Sequence, residues 1–449
     1  MSTSSFQSMQ SQPRVRRSRA VLACWLSAFA LLQSACGPKE EVEDPDAITV
    51  GALLPFTGKE AAIGRNLEQA LLLAVHDVNA AGGIGGRKLR LISRDSNSGS
   101  ARGLDELLQL LYTDKVKYLI GPEENELANA IVPDVKGLDI LNILPGYAAP
   151  PIEHISSKGA WVRLAPAPAA LACGMAQHAI RNGVGSANII VSQDDFNGTL
   201  ATDFSGQFDR LGGDMLPSVT VTSGASSYSR KITQAFGYGA EQTVLIAYPQ
   251  TAATIATEWT IKNRTGSWYL SPMLHAEVFL LNTPYGALDG FQGLSPSLSL
   301  LDECTQGATE SEVSCTRDNA DNFSQHFADY WNGDTALPAS YFYYDAMVLL
   351  AMGLQQGLAK ADQLPVSKRA RDEIRSFGNA SAQAAHWWDL TKTMAGLADR
   401  KSAHYVGAGS AYTFDTYGAA QHVIFDTWTI QNGRFVDTGA LKADCPRSF

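Results

Sequence analysis

Residues 48–96 read ITVGALLPFTGKEAAIGRNLEQALLLAVHDVNAAGGIGGRKLRLISRDS, and this stretch decides the fold. Ile48–Pro55 is a short apolar run that stops at a Pro-x-x-Gly turn, as a buried strand does. Leu67, Ala70, Leu71, Ala74, Val75 and Val78 then recur at helical spacing on one face. Asn66 is placed to cap that helix, and Gly82-Gly83 to end it. Lys88–Arg94 alternates apolar and polar residues, which is the pattern of a second strand.

The same unit recurs outward from there. Leu104–Leu111 is helical in pattern, Val116–Ile120 a strand, Glu126–Lys136 a helix and Asp139–Leu144 a strand. A second series follows. Ala169–Arg181, Leu200–Leu211, Tyr228–Phe236 and Ala253–Lys262 read as helices; Ala187–Ser192, Ser218–Val221, Thr243–Tyr248 and Trp268–Leu270 read as strands. Helices are expected over Asn319–Trp331, Ala339–Leu358 and 360–410, with closing strands at Tyr412–Phe414, His422–Trp428 and Arg434–Val436. Alternation of this kind predicts an α/β protein with parallel sheets covered by helices on both faces. Ligands of such sheets lie beyond the carboxyl ends of the strands. A chain of 449 residues exceeds one hydrophobic core, so two lobes are expected.

The amino terminus carries export signals. Ser11–Arg19 holds four arginines and no acid, and Ala20–Leu32 is an apolar run of signal-peptide length. Gln33-Ser34-Ala35-Cys36 resembles a bacterial lipobox, which implies cleavage of residues 1–35 and lipid on Cys36. Residues 36–47 then form an acidic tether. The processed chain has 414 residues and a net charge near −14, with no basic patch that would suit nucleic acid. Localisation outside the cytoplasm, lipid-anchored on the periplasmic side or in the cell envelope, is expected. Cys304 and Cys315 lie in a polar stretch and are read as a disulfide that pins a loop.

Several segments carry a likeness to a known family. GALLPFTGKEAAIG (51–64), VHDVNAAGGIGGRKLRLISRDS (75–96), KVKYLIGP (115–122), ILPGYAAPP (143–151), VSQDDFNGTLA (191–201), YFYYDAM (341–347) and AYTFDTYG (411–418) occur in order. Together they resemble the type I periplasmic binding proteins of the leucine/isoleucine/valine-binding branch, over about residues 48–437. The resemblance implies two Rossmann-like lobes with parallel sheets, joined by a three-crossing hinge and closing on a small molecule. It also implies delivery to an ABC-type permease. The crossings are expected near 166, 296 and 418. Lobe I is then 48–166 plus 297–418, and lobe II is 167–296 plus 419–449. Cys173 and Cys445 would share lobe II and could pair.

The resemblance also points to site residues. Asn125 falls where the family usually has a serine for the ligand carboxylate, and Ala148 where it has a threonine. Gly146 and Tyr147 offer backbone amides. Phe196 and Tyr248 fall at or beside pocket tyrosines, Met273 where an acid usually meets the ligand ammonium, and Ile63 on a cleft-lining loop. The cleft is thus expected to be aromatic and neutral. Glu123, Glu124 and Glu126 are read as the acidic first turn of a helix rather than as a cation site. Asp345 and His386 are read as structural. No metal-ligand spacing, phosphate cradle or nucleophile elbow occurs, so no cofactor, no metal and no catalytic residue is expected. The reading is a monomeric binding protein and not an enzyme, serving an ABC transporter. The alternative is a ligand-sensing or protein-interaction lipoprotein on the same fold with an altered pocket.

Overall fold

The computed structural model describes residues 44–58, 60–135, 137–146, 160–261, 266–297, 321–359, 366–379, 381–421 and 424–443. The fold is α/β, with two lobes each built on one large sheet. The first sheet takes β1 (Ile48–Leu54), β2 (Leu89–Asp95), β3 (Tyr118–Ile120), β4 (Leu141–Leu144) and β5 (Ala160–Arg163). All its pairings are parallel, in the order β2-β1-β3-β4-β5. The second sheet takes β6 (Ser186–Ser192), β7 (Asp214–Met215), β8 (Val219–Val221), β9 (Gln242–Ile246), β10 (Trp268–Leu270) and β11 (Gln292–Pro296). Its order β7-β6-β9-β10-β11 repeats that of the first sheet, with β8 also pairing β6. The hairpin of β14 (Ile424–Gln431) and β15 (Arg434–Lys442) extends it antiparallel beyond β11.

Helices fill the crossovers, as parallel strands require. Those used below are α1 (Ala61–Ala80), α2 (Asn125–Ala130), α3 (Pro168–Arg181), α4 (Asp195–Arg210), α5 (Pro249–Ile261), α6 (Pro338–Ala359), α7 (Val366–Ser376) and α8 (Leu390–Ala398). Long α6 packs on α1 and α7, and every residue from Tyr341 to Gln356 except Gln355 is buried. It is apolar around its whole circumference because it has neighbours on all sides. One continuous apolar cluster runs from β1 and α1 through Val162, Leu164 and Leu171 to Phe204 and Phe425, so both lobes share it.

Beyond β5 the chain is held to its later return. Arg163 N donates to Gly418 O at 3.0 Å, and Ala420 N to Arg163 O at 2.8 Å. The buried Arg163 guanidinium donates to the carbonyls of Ala165 (2.9 Å) and Pro166 (2.7 Å). Gly418 has φ +98° and lies so close to the Trp161 carbonyl that a Cβ would come within 2.8 Å of it. A glycine is required there on both counts.

Three expectations need correction. Asn66 does not cap α1, which starts five residues earlier at Ala61. Its Oδ1 instead accepts from Leu337 N (2.9 Å) and Ser340 Oγ (2.6 Å), and its Nδ2 donates to Thr335 O (2.9 Å), so it fixes the entry of α6. Residues 360–410 are not mostly helical: β12 (Gln383–His386) and β13 (Ala403–Val406), which flank α8 in the chain, pair in a separate two-stranded parallel sheet. Tyr412–Phe414 is not a strand, and only isolated bridges flank it, Val406 with Ala411 and Phe414 with Ala420.

Asp345 is structural, as read. Fully buried on α6, its carboxylate accepts from Tyr405 OH (2.7 Å), Tyr412 OH (2.7 Å), Ala408 N (2.8 Å) and Gly409 N (2.7 Å). Burial pushes it up to about 6, against the four donors that favour the charge. Asp345→Ala should therefore lower stability by roughly 3–5 kcal/mol, because it strands buried donors. Urea melts at pH 7 measure this. The folded chain keeps this proton to about pH 6, and the unfolded chain releases it near pH ~4. This group's contribution to stability thus falls as pH rises through that window. Asp345→Asn should flatten the wild-type slope there.

Candidate functional site

In a sheet of order 2-1-3-4-5 the strand order reverses between the first and third strands, and the crevice beyond their carboxyl ends is where ligands sit. Both sheets have this order, so there are two such crevices. In the first, the loops after β1 and β3 supply residues 55–58, Glu60 and residues 121–124. In the second, the loops after β6 and β9 supply Gln193-Asp194 and Ala247-Tyr248.

Each loop is held by its own side chains. Asp95 Oδ1 accepts from Thr57 N (3.1 Å) and Asn97 N (2.8 Å), and Ser98 Oγ donates to Thr57 O (2.7 Å) while accepting from Glu60 N (3.0 Å). That net fixes Glu60 at the start of α1. Asp194 caps α4, accepting from Asn197 N (2.9 Å), Asn197 Nδ2 (2.7 Å) and Ser192 Oγ (2.8 Å).

The first crevice is acidic, and its acids are buried. Glu123 is 3% exposed, and its Oε2 accepts from Tyr343 OH of α6 at 2.9 Å. The carboxylate lies against Gly146, where any Cβ would overlap it. Burial, then the nearby Glu60, pushes the Glu123 carboxyl up to about 8; the Tyr343 bond and Arg163 act in the other direction. Glu124 is 5% exposed and its Oε1 accepts from the buried Ser96 Oγ at 2.5 Å.

Tyr248 links the two crevices. Burial holds its hydroxyl well above the ordinary range, and Glu60, Asp194, Glu123 and Glu124 push the same way. Charges of the first lobe thus reach a tyrosine of the second. Helix α2 packs against α4 beside it, so the lobes meet across this gap.

The expected site residues fall as follows. Gly146 and Tyr248 come together around Glu123. Asn125 opens α2. Phe196 is buried in the first turn of α4, within the shared core. Ile63 on α1 and Met273 in the turn Pro272–Leu274 are partly buried against that same core. Tyr147 and Ala148 lie outside the described residues, as do Cys36, Cys304, Cys315 and Cys445. Cys173 on α3 is disulfide-bonded.

The reading of Glu123 and Glu124 as a helix first turn is overturned. Both precede α2, and only Glu126 lies in its first turn, where it is exposed. Glu60, Glu123, Glu124 and Asp194 all act on Tyr248, so acids as well as aromatic residues belong to this region. Sequence reasoning also passed over Tyr343 and Ser96. The missed signal was two adjacent acids directly after a strand at the point of order reversal.

Comparison with known proteins agrees with this architecture. A curated relative, the chemotactic signal transduction system substrate-binding protein BasB of Halobacterium salinarum, is 24% identical over 235 residues, 51% of this chain and 56% of that protein. The match thus spans little more than half of the relative's length. Among solved structures, the leucine-binding protein LivK of Thermotoga maritima superposes with a TM-score of 0.69 at 16% identity, covering 89% of this chain and 99% of that one. A solute-binding protein of an ABC transporter from R. palustris in complex with benzoate gives 0.65 at 17%, covering 88% and 96%. LivJ of Streptococcus pneumoniae in complex with isoleucine gives 0.67 at 16%, covering 88% and 99%. At these identities the likeness establishes the type I periplasmic binding fold and nothing finer. Residues 47–380 match the family described as periplasmic binding protein, and the chain belongs to that family.

Proposed function

We propose that this protein is an extracytoplasmic solute-binding lipoprotein that captures a small organic molecule between its lobes for an ABC transporter. The observation that carries this reading is the repetition of one sheet order in both lobes, with α2 of one packed on α4 of the other beside their order-reversal loops. A ligand touching both lobes favours the closed arrangement through contacts the open one lacks. The lobes are taken as 48–166 plus 297–418 and 167–296 plus 419–449. The pairing of Arg163 with residues 418–420 supports a hinge at the first and third crossings. The BasB relative supports a second reading, in which the liganded protein reports to a chemotaxis system instead.

The cysteines complete the proposal. Lipid on Cys36 anchors the chain, and Cys304–Cys315 closes a loop. Cys173–Cys445 joins α3 to the end of the last strand. Helix α3 packs on β15, whose last residue is Lys442, so Cys445 follows within a few residues of that contact.

Calorimetry against amino acids, aromatic acids, amides and short peptides tests capture. Once a ligand is found, Tyr248→Ala and Phe196→Ala should each weaken binding by roughly 1–3 kcal/mol. His386→Ala, at the end of β12, should leave it unchanged. Equal affinity for wild type and both cleft variants places the pocket elsewhere. Cys36→Ser should move the protein from the membrane fraction to the soluble one; continued sedimentation with membranes refutes the anchor. Non-reducing peptide mapping reads the two disulfides directly.

A further inference from the structure

We infer that the chain carries a second binding site, apart from the cleft, which takes one sugar ring of a neutral glycan chain in the groove beside Trp388. The groove belongs to the unit β12–α8–β13. It encloses about 250 Å³, and none of its lining residues lies on the loops that wall the two crevices. That volume is below the roughly 300–1,000 Å³ of a site for a drug-sized molecule. It suits one ring of a longer chain.

Three observations point to this ligand. The first is an aromatic platform. Trp388 alone among the described tryptophans is exposed, at 52%. Its ring stacks on His386, which lines the groove, with centroids 4.3 Å apart and planes at 15°. Trp387 is buried in the core and stands perpendicular to Trp388 at 5.7 Å, so the turn that presents Trp388 is anchored from inside. A flat ring kept in water by anchored neighbours presents a stacking surface.

The second is the state of the polar lining. Gln383, Asp389, Lys392, Asp399, Lys401 and Ser402 all line the groove, and none makes a side-chain hydrogen bond among the described residues. Asp389 stands at the N-cap of α8, yet its carboxylate does not cap the helix, which is what an aspartate there ordinarily does. The charges cancel in pairs: Asp389 lies 3.9 Å from Lys392, and Asp399 3.7 Å from Lys401. An ion of either sign gains little from such a lining. A ring of hydroxyls, each both donor and acceptor, uses both members of each pair.

The third is Gly396 in α8, another lining residue. Glycine weakens a helix relative to alanine. Nothing in the fold requires it here, since a Cβ would meet only Lys401 Cδ, at an ordinary 3.9 Å. Its effect is to leave room in the groove. A stacking ring, polar groups of both senses and a cleared floor together suit a pyranose with equatorial hydroxyls. Its C–H face lies on the aromatic ring and its hydroxyl rim meets the charged pairs.

Cellotetraose and chitotetraose test this on the processed chain. Either sugar should shield Trp388 from acrylamide quenching of tryptophan fluorescence. By calorimetry, Trp388→Ala should weaken the sugar about tenfold and Trp388→Phe by less. Gly396→Ala should raise the melting temperature. Gly396→Leu should abolish sugar binding without lowering the melting temperature below that of wild type. Tyr248→Ala, in the cleft, should leave sugar affinity unchanged. Binding that survives Trp388→Ala overturns the inference, and a fall with Tyr248→Ala then puts the sugar in the cleft. Failure of both tetrasaccharides to bind, or shielding of Trp388 by sodium phosphate or ethylamine in their place, overturns it as well. Each of these outcomes leaves the binding-protein reading standing, because that reading rests on other residues.

Discussion

Three consecutive residues on one buried helix hold the molecule in register. Tyr343, Tyr344 and Asp345 have no exposed surface, and each carries a polar group that must find a partner inside the protein. Leaving one unpaired costs about 1–3 kcal/mol. Tyr343 reaches Glu123 in the cleft, Tyr344 reaches Asp77 on α1 at 2.8 Å, and Asp345 gathers the segment from Tyr405 to Tyr412. The three demands fix the rotation of α6 about its axis, which its all-round apolar surface alone would leave loosely specified. They also make the cleft's central acid part of the core, because its position is set by a hydroxyl from a helix some 220 residues away in the chain.

The two lobes solve one problem twice. In each, a parallel sheet of the same order splits its crossovers to opposite faces, and the resulting crevice must be walled by loops. The loops differ in what they carry. Lobe I offers acids backed by Tyr343 and Ser96; lobe II offers a capped helix start and Tyr248. Neither half encloses a ligand alone. Where the chain leaves β5, Arg163 bridges to Gly418 and Ala420, and the core that both lobes share runs on through Leu164.

Much of this was legible in the order of residues. The helices and strands of 48–144 and 168–270 follow from periodicity, because each buries one well-defined face. What escaped has physical reasons. Ala160–Arg163 and Gln292–Pro296 are short strands buried or nearly so on both faces, so neither shows an alternating pattern. The Ala-rich run around 383–406 favours helix locally and is helical at α8, while only the pairing of β12 with β13 makes strands of its two ends. Asn66 looked like a cap and is one, but for a helix 270 residues later, a relation no local window contains. Glu123 and Glu124 misled for a similar reason: acids before a helix are commonplace on surfaces, and burial is decided by α6 and by Gly146, not by their neighbours in sequence.

That burial is itself an argument about purpose. Adjacent acids at 3% and 5% exposure oppose folding, since each charge loses water and meets the other. A hydrophobic pair of similar size would be as stable or more so. The fold lessens the penalty with one hydroxyl for each acid, from Tyr343 and from Ser96, and by keeping a proton on Glu123. The two acids thus weigh against stability at the crevice beyond β1 and β3, the place where ligands of a sheet of this order sit.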